Sequence, residues 1–315
     1  MKILILGAGA VGGYFGGRLH QAGADVTFLL REPRATKVKA EGLVIKSPKG
    51  DAVLPVKVVT KGSEGGPYDI VILASKAYDL DSAIEAIAPA VGEHTTIVPM
   101  LNGLAHLDVL DNKFGADKVA GGLARIGGML GPNGEVLHTS PFAGVSFGER
   151  SGKPVRASLG ELDALCKKAG IEGGLNDKIN QDLWDKWIML TSLASMCCTL
   201  RGTTGDILSA DDGEALMLET VDECRRVARA EGFDPGDKGI ENLKVYLTKR
   251  GSAFAASMLG DLEKGGAIEG RHVIGDMLSR ARKHGIAAPN LRMAYAVVQA
   301  YEARRARGGL SKPTK

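Results

Sequence analysis

Residues 2–12 have the sequence KILILGAGAVG, an apolar run followed directly by a glycine-rich turn. The run Lys2–Leu6 is typical of a short buried strand, and the apolar spacing over residues 10–22 predicts a helix. The turn between them contains the pattern G-x-G-x-x-G, formed by Gly7, Gly9 and Gly12. A strand before this pattern and a helix after it are the context in which it indicates a dinucleotide-binding site.

Each glycine of the turn has its own physical reason. Gly7 permits a tight turn, Gly9 lets a pyrophosphate approach the backbone, and Gly12 lets the helix pack closely on the sheet. The helix N-terminus adds free N–H groups and a partial positive charge. The candidate cofactor-binding residues of this turn are Gly7, Ala8, Gly9, Ala10, Val11 and Gly12. The alternative is a glycine-rich turn that binds no ligand.

Further apolar runs follow at regular intervals along the first half of the chain. Buried strands are predicted over residues 25–30, 69–74 and 95–100, weaker ones over 43–45 and 53–58, and helices over 80–91 and 155–169. Continuous apolar strands that alternate with helices indicate a parallel sheet covered on both faces. Residues 118–148 are rich in glycine, and we expect them to form antiparallel hairpins that extend this sheet.

Beyond about residue 175 the sequence has helical spacing only. Six helices are predicted, over residues 179–200, 213–231, 236–249, 253–264, 268–284 and 290–306. The fold class expected is therefore α/β, with an N-terminal doubly wound Rossmann-type domain followed by an all-α C-terminal domain. We place the first domain at residues 1–172 and the second at 173–315.

Composition excludes several classes of protein. The 315 residues are 44% hydrophobic, and 40 Lys+Arg against 37 Asp+Glu give a net charge of +3, too small for a nucleic-acid-binding field. The sequence has no apolar stretch of membrane-spanning length. The four cysteines form no C-x-x-C pair, so we expect buried apolar thiols, no metal site and a reducing, cytoplasmic location.

The end of the second predicted strand bears on the choice of cofactor. Arg31 follows that strand at the position where an NAD site usually carries an acidic residue for the ribose 2′-OH. A guanidinium there suits a 2′-phosphate, so NADP is favoured over NAD. Two alternatives stay open: Glu32 faces the ribose, or Arg31 is a solvated surface cation.

Two more polar residues follow predicted strands. Lys76 comes after the strand over residues 69–74, and Asn102 comes after the strand over residues 95–100. Ligands of open α/β sheets bind beyond the carboxyl ends of the strands, where both residues would lie. The alternatives are an exposed lysine that starts a helix and a common Asn-Gly turn.

Seven segments, taken in order, resemble the ketopantoate reductase family (2-dehydropantoate 2-reductase). They are GAGAVGGYFGGRL at 7–19, SKAYDL at 75–80, LNGL at 101–104, LWDKW at 183–187, ASMLGD at 256–261, AIE at 267–269 and HGIAAPN at 284–290. The resemblance spans nearly the whole chain. It implies a reductase that uses NADPH on a small 2-oxo acid.

The resemblance also implies roles for individual residues. Lys186 would be the general acid, and Glu269 would bind a substrate hydroxyl and orient that lysine. Ser257 would face the substrate, whereas Asn102 and Lys76 would lie near both substrate and cofactor. A lysine ammonium suits this chemistry, because hydride addition to a ketone leaves negative charge on oxygen. The alternatives are that Lys186 is a lysine on a helix surface, that Glu269 is a carboxylate at a helix N-terminus, and that Ser257 is a helix cap.

The sequence departs from the family pattern on the expected substrate side. Leu190, Thr204 and Phe254 stand where the family has asparagines, and the aspartate of the T-E-I-D motif is replaced around Arg271. These changes make the site less polar and weaken hydroxyl recognition. Three hypotheses follow: ketopantoate reduction in pantothenate synthesis, reduction of a different 2-oxo acid or ketone, and a dinucleotide sensor without turnover. A homodimer is compatible with each.

Overall fold

The computed structural model describes residues 1–150, 152 and 154–309, which divide into two compact units. The first unit contains Met1–Leu101 and His106–Ile179. The second contains Asn102–Ala105 and the chain from Asn180 onward. The sequence placed this division at 172/173.

Ten strands are present in the described part of the chain. They are β1 Lys2–Leu6, β2 Asp25–Leu29, β3 Leu43–Lys46, β4 Ala52–Leu54, β5 Lys57–Val59, β6 Ile70–Leu73, β7 Thr96–Pro99, β8 Gly121–Leu130, β9 Val136–Gly148 and β10 Glu172–Leu175. All ten belong to the first unit, so the prediction that strands end near residue 175 is confirmed for the described residues.

Twelve α-helices are present in the same described residues. They are α1 Ala10–Gln21, α2 Glu32–Glu41, α3 Leu80–Ile87, α4 Ala105–Phe114, α5 Ala157–Lys168, α6 Ile179–Leu200, α7 Thr204–Ile207, α8 Gly213–Ala230, α9 Gly236–Leu247, α10 Ser257–Glu263, α11 Asp276–Lys283 and α12 Pro289–Ala306. The sequence analysis missed α2, α4 and the short α7. The predicted helix over 268–284 is a π-helical turn, Arg271–Gly275, followed by α11.

The first sheet is parallel throughout, with the strand order β5-β2-β1-β6-β7. Its central strand β1 pairs Leu6 with Leu29 of β2 on one side and with Leu73 of β6 on the other. The order reverses at β1, which is the topological switch point of a doubly wound sheet. The predicted fold class is confirmed.

The glycine-rich hairpin does not extend this sheet, and that prediction is wrong. β8 and β9 pair antiparallel with each other and form a second sheet with β3, β4 and β10. The predicted strand pair over 43–58 is also divided, because β4 joins the second sheet and β5 pairs with β2 in the first. Periodicity identifies a strand but does not specify its neighbour, which depends on packing between distant segments.

Helix α1 lies between the two sheets, and two pairs of glycines let it do so. Gly12 and Gly16 face the first sheet, where a Cβ on Gly16 would lie 2.7 Å from the Phe28 ring. Gly13 and Gly17 face the second sheet. A Cβ on Gly13 would lie 2.6 Å from Val136, and one on Gly17 would lie 2.5 Å from Ile45. Residues four apart share one helix face, so each pair forms a flat strip for one sheet.

All the regular elements described in the second unit are helical, as predicted. None of the described helices is both long and apolar enough to cross a bilayer. All four cysteines of the chain are buried and form no disulfide, as expected for apolar thiols. Burial raises the pKa of Cys166, Cys198 and Cys224 to about 12 and also raises the pKa of Cys197.

The contrast between packed and open helical glycines gives a stability prediction. Gly160 lies in α5, and a Cβ there would meet no heavy atom within 4 Å. We expect Gly160→Ala to stabilise the fold by about 0.5–1 kcal/mol, because alanine loses less backbone entropy in a helix. Gly16→Ala, the matched change on the packed face of α1, should destabilise by about 1–3 kcal/mol through overpacking. Urea unfolding of both variants measures the two effects, and equal shifts would contradict the packing argument.

Candidate active site

The glycine turn has the geometry that a phosphate site requires. Gly7 has a φ of +95°, a conformation that disfavours any side chain, and its N–H donates to the Leu29 carbonyl at 3.1 Å. A Cβ on Gly12 would overlap the Gly7 carbonyl oxygen and lie 2.9 Å from the Ala74 Cβ. Both glycines are therefore needed for the turn itself, independently of any ligand.

Gly9 differs from its neighbours because its surroundings are open. It is the N-cap of α1, and a Cβ there would have none of the described heavy atoms within 4 Å. Ala10 and Val11 begin the helix, so their N–H groups have no intrahelical acceptor. Open space, free N–H groups and the positive end of a helix dipole lie together, and this arrangement fits a pyrophosphate.

Arg34 supports the turn from α2, and the sequence analysis missed it. Its Nη2 donates to the Ala8 carbonyl at 3.1 Å, and a Cβ on Gly134 would lie 2.6 Å from its Nη1. Burial lowers the pKa of this half-buried guanidinium. Arg34 follows Arg31 by three residues, a spacing that places two residues on the same side of a helix. This spacing was the feature of the sequence that could have identified Arg34.

Arg31 lies at the N-cap of α2, next to the end of β2, and its guanidinium has an acidic partner. Its Nη2 donates to Asp79 Oδ1 at 2.7 Å and to Ser82 Oγ at 3.3 Å. The Arg31 side chain is 71% exposed and that of Asp79 is 32% exposed. The pair is thus accessible to a ligand, and Asp79 places negative charge beside the predicted 2′-phosphate position.

Lys76 lies beyond the carboxyl end of β6, as predicted. It is the N-cap of a 3₁₀ turn over Ala77–Asp79, and its carbonyl accepts from the Asp79 N–H at 3.0 Å. This short turn joins the lysine to Asp79, the acidic partner of Arg31. The neighbouring element α3 begins directly afterwards.

In the second unit, the structure brings Asn102 and Glu269 to one histidine. Glu269 is buried, with 7% of its surface exposed. His272 donates a hydrogen bond to the main chain of Asn102 and lies within electrostatic range of the Glu269 carboxylate. Burial lowers the pKa of His272, so its imidazole is neutral near pH 7.

Lys186 lies on α6, and the next residue, Trp187, bonds this helix to the segment that contains His272. Trp187 donates from Nε1 to the Val273 carbonyl at 3.1 Å, and Val273 directly follows His272. Trp184 and Trp187 are almost fully buried, and the Arg280 guanidinium lies 5.6 and 5.4 Å from their ring centroids. Lys186 itself is half-buried between these two anchors.

The remaining predicted residues lie on neighbouring segments of the second unit. Ser257 is exposed at the first position of α10, whose N-cap is Ala256. Two of the positions that depart from the family asparagines pair through the backbone, because the Thr204 N–H donates to the Phe254 carbonyl at 2.8 Å. The Phe254 ring packs on Tyr246 at 5.0 Å, and the third such position, Leu190, is half-buried.

The matches to family models cover both units. Residues 3–152 match the model described as Ketopantoate reductase PanE/ApbA, and residues 178–302 match its C-terminal model. The chain belongs to the ketopantoate reductase family. It is an oxidoreductase of that family, and the resemblance found in the sequence is confirmed.

Three relatives illustrate the match. The uncharacterized oxidoreductase YkpB of Bacillus subtilis is 36% identical over 96% of this chain and 99% of its own length. The 2-dehydropantoate 2-reductase of Mesorhizobium japonicum is 30% identical over 85% of this chain and 88% of its own. A crystal structure of 2-dehydropantoate 2-reductase from Geobacter metallireducens is 29% identical, with a TM-score of 0.87 over 95% of this chain and 99% of that one.

The described residues were also compared with the ligand sets that bind metal ions in proteins. No group of three or more His, Cys, Asp or Glu side chains is arranged there to hold a metal ion. The polar groups that meet here are the His272 imidazole, the Glu269 carboxylate and the main chain of Asn102.

The two kinds of glycine in the turn should respond differently to substitution. Gly9→Ala puts a methyl group into open space, so we expect an unchanged melting temperature but at least a ten-fold weaker affinity for a pyridine dinucleotide. Gly12→Ala should lower the melting temperature as well, because its methyl group overlaps the turn. Thermal unfolding and cofactor fluorescence titration measure the two properties. Undiminished binding by the Gly9 variant would place the phosphates elsewhere.

Proposed function

We propose that this protein reduces a 2-oxo acid to the 2-hydroxy acid with NADPH. The observation that carries the proposal is the glycine turn. There Gly9 is the N-cap of α1, and a Cβ on Gly9 would meet none of the described heavy atoms within 4 Å. Membership of an oxidoreductase family over both halves of the chain supports the same conclusion. A bound reduced nicotinamide supplies a hydride to the ketone carbon of the substrate.

The chain's own residues handle the charge and the proton. We assign Lys186 as the general acid: its ammonium stabilises the negative charge that develops on the ketone oxygen and gives that oxygen a proton. We assign Glu269 to a substrate hydroxyl and to the orientation of the lysine. Asn102, Ser257 and Lys76 complete the proposed set, with Asn102 and Lys76 also serving the cofactor.

Ketopantoate is the first candidate substrate, because curated relatives that act on it match most of this chain. A specific observation favours a second candidate, a 2-oxo acid with a less polar side chain. The Phe254 ring packs on the Tyr246 ring, with centroids 5.0 Å apart, and Leu190 is likewise apolar. Side chains of this kind offer a substrate hydroxyl fewer partners than the family's asparagines would.

NADPH is preferred to NADH in this proposal because of Arg31. Its exposed guanidinium follows β2 and suits a 2′-phosphate. Asp79 opposes this preference, since its carboxylate occupies the guanidinium at 2.7 Å. A bound 2′-phosphate would therefore have to replace Asp79. The cytoplasmic location and the homodimer stay predictions.

A substrate panel tests the reaction. The wild-type protein should oxidise NADPH with ketopantoate or with another 2-oxo acid of the panel. Lys186→Ala should lower kcat by about 10²–10⁴-fold, the usual contribution of a general acid. Lys178→Ala, which removes an exposed lysine just before α6, is the matched control and should keep full turnover. Dinucleotide binding without turnover on any acid would favour a sensor instead.

Substitutions of Arg31 and of Asp79 should change the KM for NADPH in opposite directions. Arg31→Ala should raise the KM for NADPH about ten-fold or more, because a charged hydrogen bond to phosphate is lost. Asp79→Asn should lower it by about two- to five-fold, the range expected for a partly exposed ion pair. KM values for NADPH and NADH measure this, with Asp81→Asn as the control on α3. An equal effect of Asp79→Asn on both cofactors would contradict the assignment.

A further inference from the structure

His272 lies in an unusual backbone segment that several hydrogen bonds hold in place. The π-helical turn Arg271–Gly275 contains it, and the Asp276 N–H closes that turn on the Arg271 carbonyl. Within the turn, the Val273 carbonyl accepts from Trp187 Nε1 at 3.1 Å and Thr191 Oγ1 at 3.4 Å. π-helical turns are rare and occur frequently at functional sites. Here the turn fixes the backbone that carries the imidazole.

The imidazole is directed at the loop that carries Asn102. It donates to the main chain of Asn102. The next residue, Gly103, has a φ of +78°, and a Cβ there would lie 2.9 Å from His272 Cδ2 and 3.0 Å from the His272 carbonyl oxygen. The loop and the histidine are thus in contact along the ring, and only glycine fits between them.

We propose that His272 is a positioning residue, which fixes the Asn102–Gly103 loop and so holds the Asn102 side chain near Glu269. The order of the elements supports this. Glu269 precedes the π-helical turn by two residues, His272 is inside it, and Asn102 is bonded to it. One rigid turn therefore sets the distance between two of the residues assigned to the substrate. Neither charge nor proton transfer by His272 is required, because a neutral ring supplies the single N–H that the loop needs.

Two variants separate the hydrogen bond from the bulk of the ring. His272→Ala removes both, whereas His272→Gln keeps a side-chain N–H donor. His138→Ala is the matched control, because its imidazole is likewise bonded to a main-chain carbonyl, that of Phe142, but lies in the first unit. Circular dichroism and thermal unfolding identify any variant that fails to fold. If His272→Ala fails, His272→Gln and His272→Asn carry the test.

The first readout needs no substrate. Hydrogen exchange of the peptide over residues 100–106 should be at least ten-fold faster in His272→Ala than in the wild type. We expect His272→Gln to recover most of that protection and His138→Ala to leave the peptide unchanged. Unchanged exchange in His272→Ala, or no recovery in His272→Gln, would overturn the proposed loop anchor.

The second readout rests on the proposed function. On the 2-oxo acid that the wild type reduces, His272→Ala should lower kcat/KM by about 10²-fold, as expected for a displaced substrate-binding group. The KM for NADPH should change by a much smaller factor, and His272→Gln should recover part of the loss in kcat/KM. Equal loss in both variants would reject a positioning role. If the wild type reduces no 2-oxo acid, the proposed function fails, while the exchange result still decides the loop anchor.

Discussion

The close approach of α1 to two sheets at once is the constraint on which the first unit depends. Four glycines in the segment GGYFGG weaken the helix by about 0.8–1 kcal/mol each relative to alanine. Packing on both faces offsets that loss, because Gly12 and Gly16 admit the parallel sheet while Gly13 and Gly17 admit the second sheet. The same packing holds the N-terminus of α1 at the end of β1, so the phosphate turn and the core share one structural cause.

Sequence reasoning predicted the features that depend on local patterns. The apolar runs of β1, β2, β6 and β7 gave the parallel sheet, and the glycine spacing gave the turn before α1. The second sheet could not be predicted in the same way, because the partners of β8 and β9 lie far away along the chain. Helix α2 was missed because its surface is mostly polar, with only Ala35 and Val38 buried.

In the candidate site, too, local motifs could be predicted from the sequence, whereas contacts between distant residues could not. Motifs proposed Lys186, Glu269 and Asn102, but their neighbours depend on tertiary contacts. Asp79 is 48 residues from Arg31, so no spacing rule could pair the two. His272 occupies a position within a predicted helix, and its contact with Asn102 becomes visible only when the π-helical turn is seen. Residue types can suggest a reaction, whereas the partners that tune it come from the fold.

The buried cysteines have a practical consequence. With pKa values raised to about 12, Cys166, Cys198 and Cys224 are thiols rather than thiolates at pH 7, and burial raises the pKa of Cys197 as well. Maleimide reagents attack the thiolate, so all four native thiols should be inert in the folded protein. A cysteine introduced at an exposed position would be labelled selectively with a fluorophore, without first removing any native one.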